Sequence, residues 1–317
     1  MHDYLQKLNS DPREWLLQKD NPSARYHTLL HLYGKRSDSP ETISAKRAIM
    51  RSPEVRKILS LQKDDGTWEG SPDSFAPANR STIYQLIFLA ELGADGKNPK
   101  IKKAADLAMK EMFPPGTKTG LKGKSFCNYL FCYMGLALRS LVLLGHRDDE
   151  RIKRAFQFVS ERTLEKELAC RWRSHLACPW GAVKLLSAFV EIPPESRTKA
   201  IEEAMAYCAR FLLRHDLSTA AYPRAGKRSA LWFKFGFPRS LNSDILETSY
   251  ILARAGYAKD RRLGKAVDYI LTKQDELGRW KMEYSMNGRM LADIESKGEA
   301  SRHLTLRALY LLKERFS

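Results

Sequence analysis

The chain has 317 residues, 43% of them apolar, so it can bury a sizeable core and is too apolar to be disordered. Lys and Arg outnumber Asp and Glu by 54 to 37, and the resulting charge of +17 favours anionic partners such as nucleic acid, phosphorylated small molecules or acidic lipid heads without choosing among them. No apolar run approaches the ~20 residues of a membrane-spanning helix, the polar start from Met1 to Asn9 lacks the apolar stretch of a secretory signal, and 5 cysteines are too sparse for a disulfide framework; the expectation is a cytoplasmic protein with reduced thiols or a metal site.

Apolar residues recur at spacings of three and four nearly throughout, and alternating β-branched runs are almost absent, which predicts an all-α chain. A stretch ending near Leu17 precedes an apolar helix that closes on Leu32-Tyr33-Gly34. An amphipathic helix follows over 43–61 with a break at Pro53, then an apolar one closing on Glu91-Leu92-Gly93. The alternation continues with amphipathic 99–112, apolar 141–145, amphipathic 150–162, and apolar 182–192, which stops at Pro193-Pro194. Amphipathic 197–214, apolar 251–256, amphipathic 261–273 and apolar 304–312 complete it. Gly34, Gly93, Gly145 and Gly256 fall 59, 52 and 111 residues apart, the last gap being two periods, so the chain divides into six units of about 53 residues.

A helix apolar on most sides must be buried, whereas one with a single apolar stripe faces water, so the alternation implies an inner and an outer layer. Six hairpins arranged this way predict an all-α, (α/α)6 toroid spanning residues 1–317 as a single domain. An open solenoid of HEAT type has shorter repeats and lacks long irregular links. Links from inner to outer helix are short, while those from outer to inner are mostly long: 63–80, 113–125, 163–178, 215–242 and 275–300. Parallel inner helices would gather these long loops, and the inner N-termini, at one mouth that favours an anion.

The spacing Gln-x3-Gly-x-Trp occurs twice, as Gln62, Gly66, Trp68 and as Gln274, Gly278, Trp280, the second preceded by Lys265-Ala266 and Tyr269-Ile270. Glycine would allow the turn after an outer helix, glutamine would cap the next helix or the tryptophan turn, and tryptophan would pack across to the neighbouring hairpin. The longer string resembles the QW repeat of squalene and oxidosqualene cyclases. By this resemblance the chain is similar to the terpenoid cyclase and protein prenyltransferase superfamily, and to uncharacterised prokaryotic prenyltransferase/squalene oxidase repeat proteins, on stretches such as Trp232-Phe233-Lys234-Phe235-Gly236-Phe237-Pro238 and Ser243-Asp244-Ile245-Leu246-Glu247. The resemblance implies an α/α toroid with an apolar cavity; it does not fix a reaction.

The Asp-x-Asp-Asp acid of class II cyclases is absent. Asp244 and Glu247, three apart at the start of the fifth inner helix, and Asp293, in Asp293-x-Glu295, are the nearest acid candidates; for the first pair the alternative is support of a helix N-terminus. Asp148-Asp149 opens an outer helix and suits a helix start. Cys170, His175 and Cys178, with Cys127 at the start of the preceding inner helix, are candidate ligands for zinc, while Cys132 and Cys208 suit the core. In the 215–242 loop, Arg224, Lys227, Arg228, Lys234 and Arg239 interleave with aromatics including Trp232 and Phe235. With Arg302, and with Arg171 and Arg173 as further mouth residues, these suit a diphosphate clamp over an apolar tail, stacking on single-stranded nucleic acid, or an aromatic plug of the ring. The leading expectation is therefore a protein that binds an isoprenoid-like or other long apolar molecule with an anionic head in the toroid cavity, and cyclises it or transfers a prenyl group if catalytic. The alternative is a basic, non-catalytic scaffold for nucleic acid or a protein partner.

Overall fold

The computed structural model describes residues 3–113, 130–224, 226–238 and 240–317. A 3-10 turn over Asp3–Lys7 and the one-turn helix α1 (Arg13–Leu16) lead into the first inner helix, α2 (Pro22–His27), which a wider turn extends to Leu32. The second outer layer is split into α3 (Pro40–Ile49) and α4 (Pro53–Ser60) and returns through α5 (Thr82–Leu92). Four more outer-inner pairs follow: α6 (Pro99–Met112) with α7 (Phe131–Leu141), α8 (Glu150–Lys166) with α9 (Pro179–Phe189), α10 (Lys199–Leu213) with α11 (Ile245–Leu252), and α12 (Gly264–Leu271) with α13 (Arg302–Phe316). Among the described residues, β-structure is limited to isolated bridges.

Burial separates the layers as the periodicity predicts. Every residue of α5 is buried, whereas α6 buries only the stripe Ile101, Ala104, Ala105, Ala108, Met109 and Met112. Short links end in residues that cap the next outer helix: Ser39, Ser52, Asn98, Asp149 and Thr198 each accept a backbone N–H from its first turn. Pro40, Pro53 and Pro99 occupy first positions, where no N–H is needed, so Ser52-Pro53 restarts the second outer layer where the sequence predicts a break. Gly93, at φ 78°, ends α5: its N–H donates to Ala90 O at 3.0 Å and that of Ala94 to Leu89 O at 2.9 Å, a left-handed cap that glycine alone adopts without strain.

The two Gln-Gly-Trp joints share one hydrogen-bond pattern. The Trp68 indole N–H donates to Ile58 O at 2.7 Å and its backbone N–H to Thr82 Oγ1 at 3.1 Å. Trp280 does the same toward Ile270 O at 2.7 Å and Thr305 Oγ1 at 3.0 Å. Each tryptophan thus binds the last turn of an outer helix to the first turn of its own inner helix. The crossing between hairpins, expected of the tryptophan, is made by glutamine: Gln62 Nε2 donates to Lys100 O on α6 at 2.9 Å, and Gln274 Nε2 to Lys7 O at 3.0 Å.

That second crossing closes the ring. Asn9 N–H donates to Gln274 Oε1 at 2.9 Å, and Gly278, at φ 68°, approaches the N-terminal segment so closely that a Cβ there would lie 2.0 Å from Ser10 O. Helix α13 packs against both α2 and α11. Ser23 Oγ and His303 Nε2 meet at 2.9 Å at the N-terminal ends of α2 and α13, while Lys313 Nζ donates to Leu32 O at 2.8 Å at their C-terminal ends. Helices α2 and α13 therefore run parallel, as do α7, α9 and α11, which meet at Phe131–Gly181 and Lys184–Glu247 near their starts and at Arg139–Glu191–Arg254 near their ends, so the described long links gather at the end where these helices begin.

Candidate functional site

The long link between α8 and α9 folds into a sharp hairpin at the long-loop end. Glu167 and Leu168, at φ 48° and 63°, turn the chain off α8; Ala169 bridges Ala177 in antiparallel fashion; Ser174 and His175, at φ 53° and 59°, close the tip. Left-handed conformations cost an L-residue roughly 1–2 kcal/mol each, so this hairpin is held by what surrounds it. Cys170 N–H donates to Leu176 O and Cys178 N–H to Leu168 O, both at 3.0 Å, flanking the bridge and placing Cys170 and Cys178 on one face. Cys178 then caps α9, its Sγ accepting the Gly181 N–H at 3.4 Å.

This face lines a cavity of about 320 Å³ between the N-terminal turns of α7 and α9. Leu130, Phe131, Ala169 and Gly181 supply apolar walls; Cys132, Cys170 and Cys178 supply three thiols; Arg162, Lys166, Arg171 and His175 supply the polar rim. The helices approach closely because two glycines permit it: a Cβ on Gly135 would lie 2.3 Å from the Lys184 carbonyl carbon, and one on Gly181 would lie 3.0 Å from Phe131 Cβ. The Cys178 thiol hydrogen-bonded to Cys170 pulls the latter down to about 6 against the effect of burial, helped by the Trp172 and Arg173 N–H groups and the Arg173 charge. The same hydrogen bond, with burial, pushes Cys178 up. Burial also pushes Cys132 up, to about 12. Cys132 is thus a cavity residue, whereas Cys208 is core as expected.

The ring axis differs from the expected apolar hub. A smaller cavity of about 140 Å³, lined in part by Tyr26, His27, His31, Tyr250 and Arg254, lies among charged groups toward the C-terminal ends of the inner helices. Glu91 on α5 pairs with Arg139 on α7 and with Arg307 on α13, the latter at 3.0 Å. Glu191, just past α9, pairs with Arg139 at 3.0 Å and with Arg254 at 2.7 Å. Burial alone would raise Glu191, but Arg254 and then Arg139 outweigh it and hold the carboxyl well below its usual range. Sequence reasoning did not single out any of these five charges.

From the other end, Phe237 of the 215–242 loop packs against α13, an arrangement that suits the plug among the expected alternatives. Phe237 stacks on His303 with centroids 3.9 Å apart, and the Arg307 guanidinium lies 5.2 Å over the same ring. Trp232 and Phe235 are core residues: the Trp232 indole N–H donates to Leu217 O at 2.8 Å, and Lys273 Nζ sits 4.7 Å over the Phe235 ring. Arg224, Lys227, Arg228 and Lys234 are exposed, and Lys234 borders a crevice of about 20 Å³. Arg302 is engaged elsewhere, by Gln18 Oε1 at 2.7 Å, by Asp20 at 2.9 Å and by the Trp15 ring at 4.9 Å. The expected clamp of these residues is therefore not assembled. Arg239 and Cys127 lie outside the described residues.

The acid candidates are likewise dispersed. Asp244 caps α11, Oδ1 accepting the Glu247 N–H at 2.7 Å and Oδ2 the Gly236 N–H at 3.0 Å, which favours its helix-start alternative and also fastens the 215–242 loop. Burial and the neighbouring Glu247 raise it to about 6. Glu247 is buried against Lys184, whose Nζ lies 2.7 Å from both carboxylate oxygens. Asp293 is exposed and accepts the Gly288 N–H at 2.8 Å, away from either. Its neighbour Glu295 joins a chain that fastens α13 to α2: it accepts from Ser301 Oγ and the Arg302 N–H and lies 3.1 Å from His303 Nδ1. Asp149 caps α8, as expected of a helix start. Among the described residues no three His, Cys, Asp or Glu side chains are arranged to hold a metal ion, and His175 is exposed at the hairpin tip. No described helix is long and apolar enough to cross a membrane.

No family model and no curated protein matches the chain. Among solved structures it is similar to the type II terpene cyclase MstE from Scytonema without ligand, at 13% identity over 93% of this chain and 87% of that one, with a TM-score of 0.41. It is also similar to a variant of that cyclase in complex with its substrate geranylgeranyl dihydroxybenzoate, at 15% identity over 82% of this chain and 94% of that one, with a TM-score of 0.29. A product complex with merosterolic acid A aligns at 14% identity over 82% and 94%, with a TM-score of 0.26. At such scores the likeness carries no weight of its own, and the closed ring rests on the contacts of this chain.

Proposed function

We propose that this protein binds a small molecule with an apolar body and an anionic head in the cavity between α7 and α9. The head would lie against Arg162, Lys166 and Arg171, and the body over Leu130, Phe131 and the thiols. The observation that carries this is the placement of three cations around a cavity into which the first turns of two eleven-residue helices open; both cations and helix N-termini favour an anion. The site is at the long-loop end, where the sequence expects a mouth, but beside the ring axis rather than on it.

Prenyl diphosphates have this chemistry, an apolar chain on an anionic head, which makes them a sensible first probe. Calorimetric titration with geranylgeranyl diphosphate and with uncharged geranylgeraniol tests the proposal. It expects binding of the diphosphate, weakened about tenfold or more when Arg171→Gln removes one charged contact, by the ~1.5–3 kcal/mol such a contact contributes. Equal binding of both compounds, or none, would overturn it. Cyclisation or prenyl transfer is the finer form of the proposal, and product analysis after incubation tests it. Zinc held by Cys170, His175 and Cys178 is a competing use of the same thiols that calls on Cys127; metal analysis of the purified protein decides it. The exposed Arg224, Lys227, Arg228 and Lys234 favour a second reading, a basic scaffold for nucleic acid, which requires binding that falls steeply with salt and needs no small molecule.

A further inference from the structure

We propose that Cys170 and Cys178 are an oxidisable dithiol that closes to an intramolecular disulfide when a small peroxide enters the rim cavity. This goes beyond the ligand-binding reading and does not depend on it.

The hairpin register places both cysteines on one face, diagonal across the Ala169–Ala177 bridge, and both line the same cavity. Both are free thiols that line the cavity, so a molecule of peroxide size can reach them. The hairpin holds them differently: Cys170 precedes the turn Arg171–Arg173 and its N–H donates to Leu176 O, while the Cys178 Sγ accepts the Gly181 N–H at 3.4 Å. Cys178 is held at the start of α9, ready to attack its neighbour. The Cys170–Leu176 and Leu168–Cys178 backbone hydrogen bonds keep the hairpin in this register despite four left-handed residues.

The chemistry balances. The Cys170 thiolate attacks one oxygen of hydrogen peroxide; an S–O bond forms, the O–O bond breaks, and the departing oxygen takes a proton and leaves as water. Cys178, having lost its proton to solvent, attacks the sulfenic sulfur; the S–S bond forms, the S–O bond breaks, and the hydroxide takes a proton to become a second water. Two thiols are oxidised by two electrons and one peroxide is reduced to two waters.

The test uses the whole protein treated with hydrogen peroxide, its remaining thiols blocked with iodoacetamide and its tryptic peptides mapped without reduction. Arg171 and Arg173 lie between the two cysteines, so trypsin separates them and a linked pair of peptides reports the bond. The expected result is a Cys170–Cys178 link with Cys132 and Cys208 still alkylated. Cys178→Ser is expected to stop at the sulfenic acid, captured by dimedone on Cys170. The proposal is overturned by a link that involves Cys132, by full alkylation of both thiols after peroxide, or by stoichiometric zinc that is lost in Cys178→Ser. If that variant does not fold, the wild-type peptide map decides alone.

Discussion

Glu247 was a candidate acid, and the structure makes it a structural ion-pair partner, which a double-mutant cycle distinguishes. Its side chain is 4% exposed and that of Lys184 is 0% exposed, with the ammonium shared between both carboxylate oxygens. Removing one member leaves a buried charge unpaired and costs about 3–5 kcal/mol, whereas replacing both by apolar residues of similar size is neutral or stabilising by about 1–4 kcal/mol. Lys184→Met and Glu247→Leu should therefore each lower the midpoint of urea unfolding by about 1–1.7 M, taking a slope of ~3 kcal/mol per M at the upper end for such a chain. The double variant should return to within ~0.5 M of wild type, or exceed it. Circular dichroism at 222 nm follows the transition. Two single costs that simply add, or a Glu247→Gln variant of undiminished stability that loses turnover of a prenyl substrate, would refute this reasoning and return Glu247 to the acid candidates.

Three further outcomes follow from particular contacts. Gly278→Ala meets Ser10 O at 2.0 Å and should cost about 2–5 kcal/mol in a thermal melt from overpacking plus strain, against about 1–2 kcal/mol for Gly288→Ala, which shares a positive φ but has nothing within 4 Å; equal losses would deny the closed ring. Asp244 is raised from 3.8 unfolded to about 6 folded, so the folded state holds its proton more tightly and the associated stabilisation is complete below pH 3.8 and lost as the pH rises through about 6. Relative to Asp244→Asn, the wild type should lose on the order of 3 kcal/mol across that window, and a parallel pair of stability curves would contradict the assignment. Trp68→Phe and Trp280→Phe each remove the indole donor to a helix-end carbonyl and should cost about 1–3 kcal/mol apiece; a loss at one joint alone would break their equivalence.

Periodicity and punctuation made the hairpins legible. Apolar spacing separates α5 from α6, glycine marks the inner-helix ends, and Ser52-Pro53 marks the split in the second outer layer, because each of these is decided within a few residues. The axis was not legible in the same way. Glu91, Arg139, Glu191, Arg254 and Arg307 come from five separate stretches, and no local pattern says that they meet. A signal was nevertheless present: each is a charge inside or at the end of an apolar stretch of an inner helix, and a buried charge requires a partner. The same signal, with Lys184 in α9 and Glu247 in α11, points to the second buried pair.

The cavity was half legible. Cys170, His175, Cys178 and Arg171 drew notice by chemistry, but Cys132 resembled core because burial and cavity lining look alike from an apolar helix face. Gly135 and Gly181, which bring α7 and α9 together, carried no turn signal; their role depends on a backbone contact that the sequence does not record. In the aromatic loop packing outweighs display: Trp232, Phe235 and Phe237 bury almost completely, and their described cationic neighbours Arg224, Lys227, Arg228 and Lys234 are left outside.

The placement of the ligand beside α9 is tested most directly by protection of a single thiol. The rate at which iodoacetamide modifies Cys170 should fall when geranylgeranyl diphosphate is present at saturation, remain unchanged with geranylgeraniol, and lose its protection in Arg171→Gln at the same diphosphate concentration. A diphosphate that binds by calorimetry yet leaves Cys170 equally reactive would place the ligand elsewhere and contradict the account.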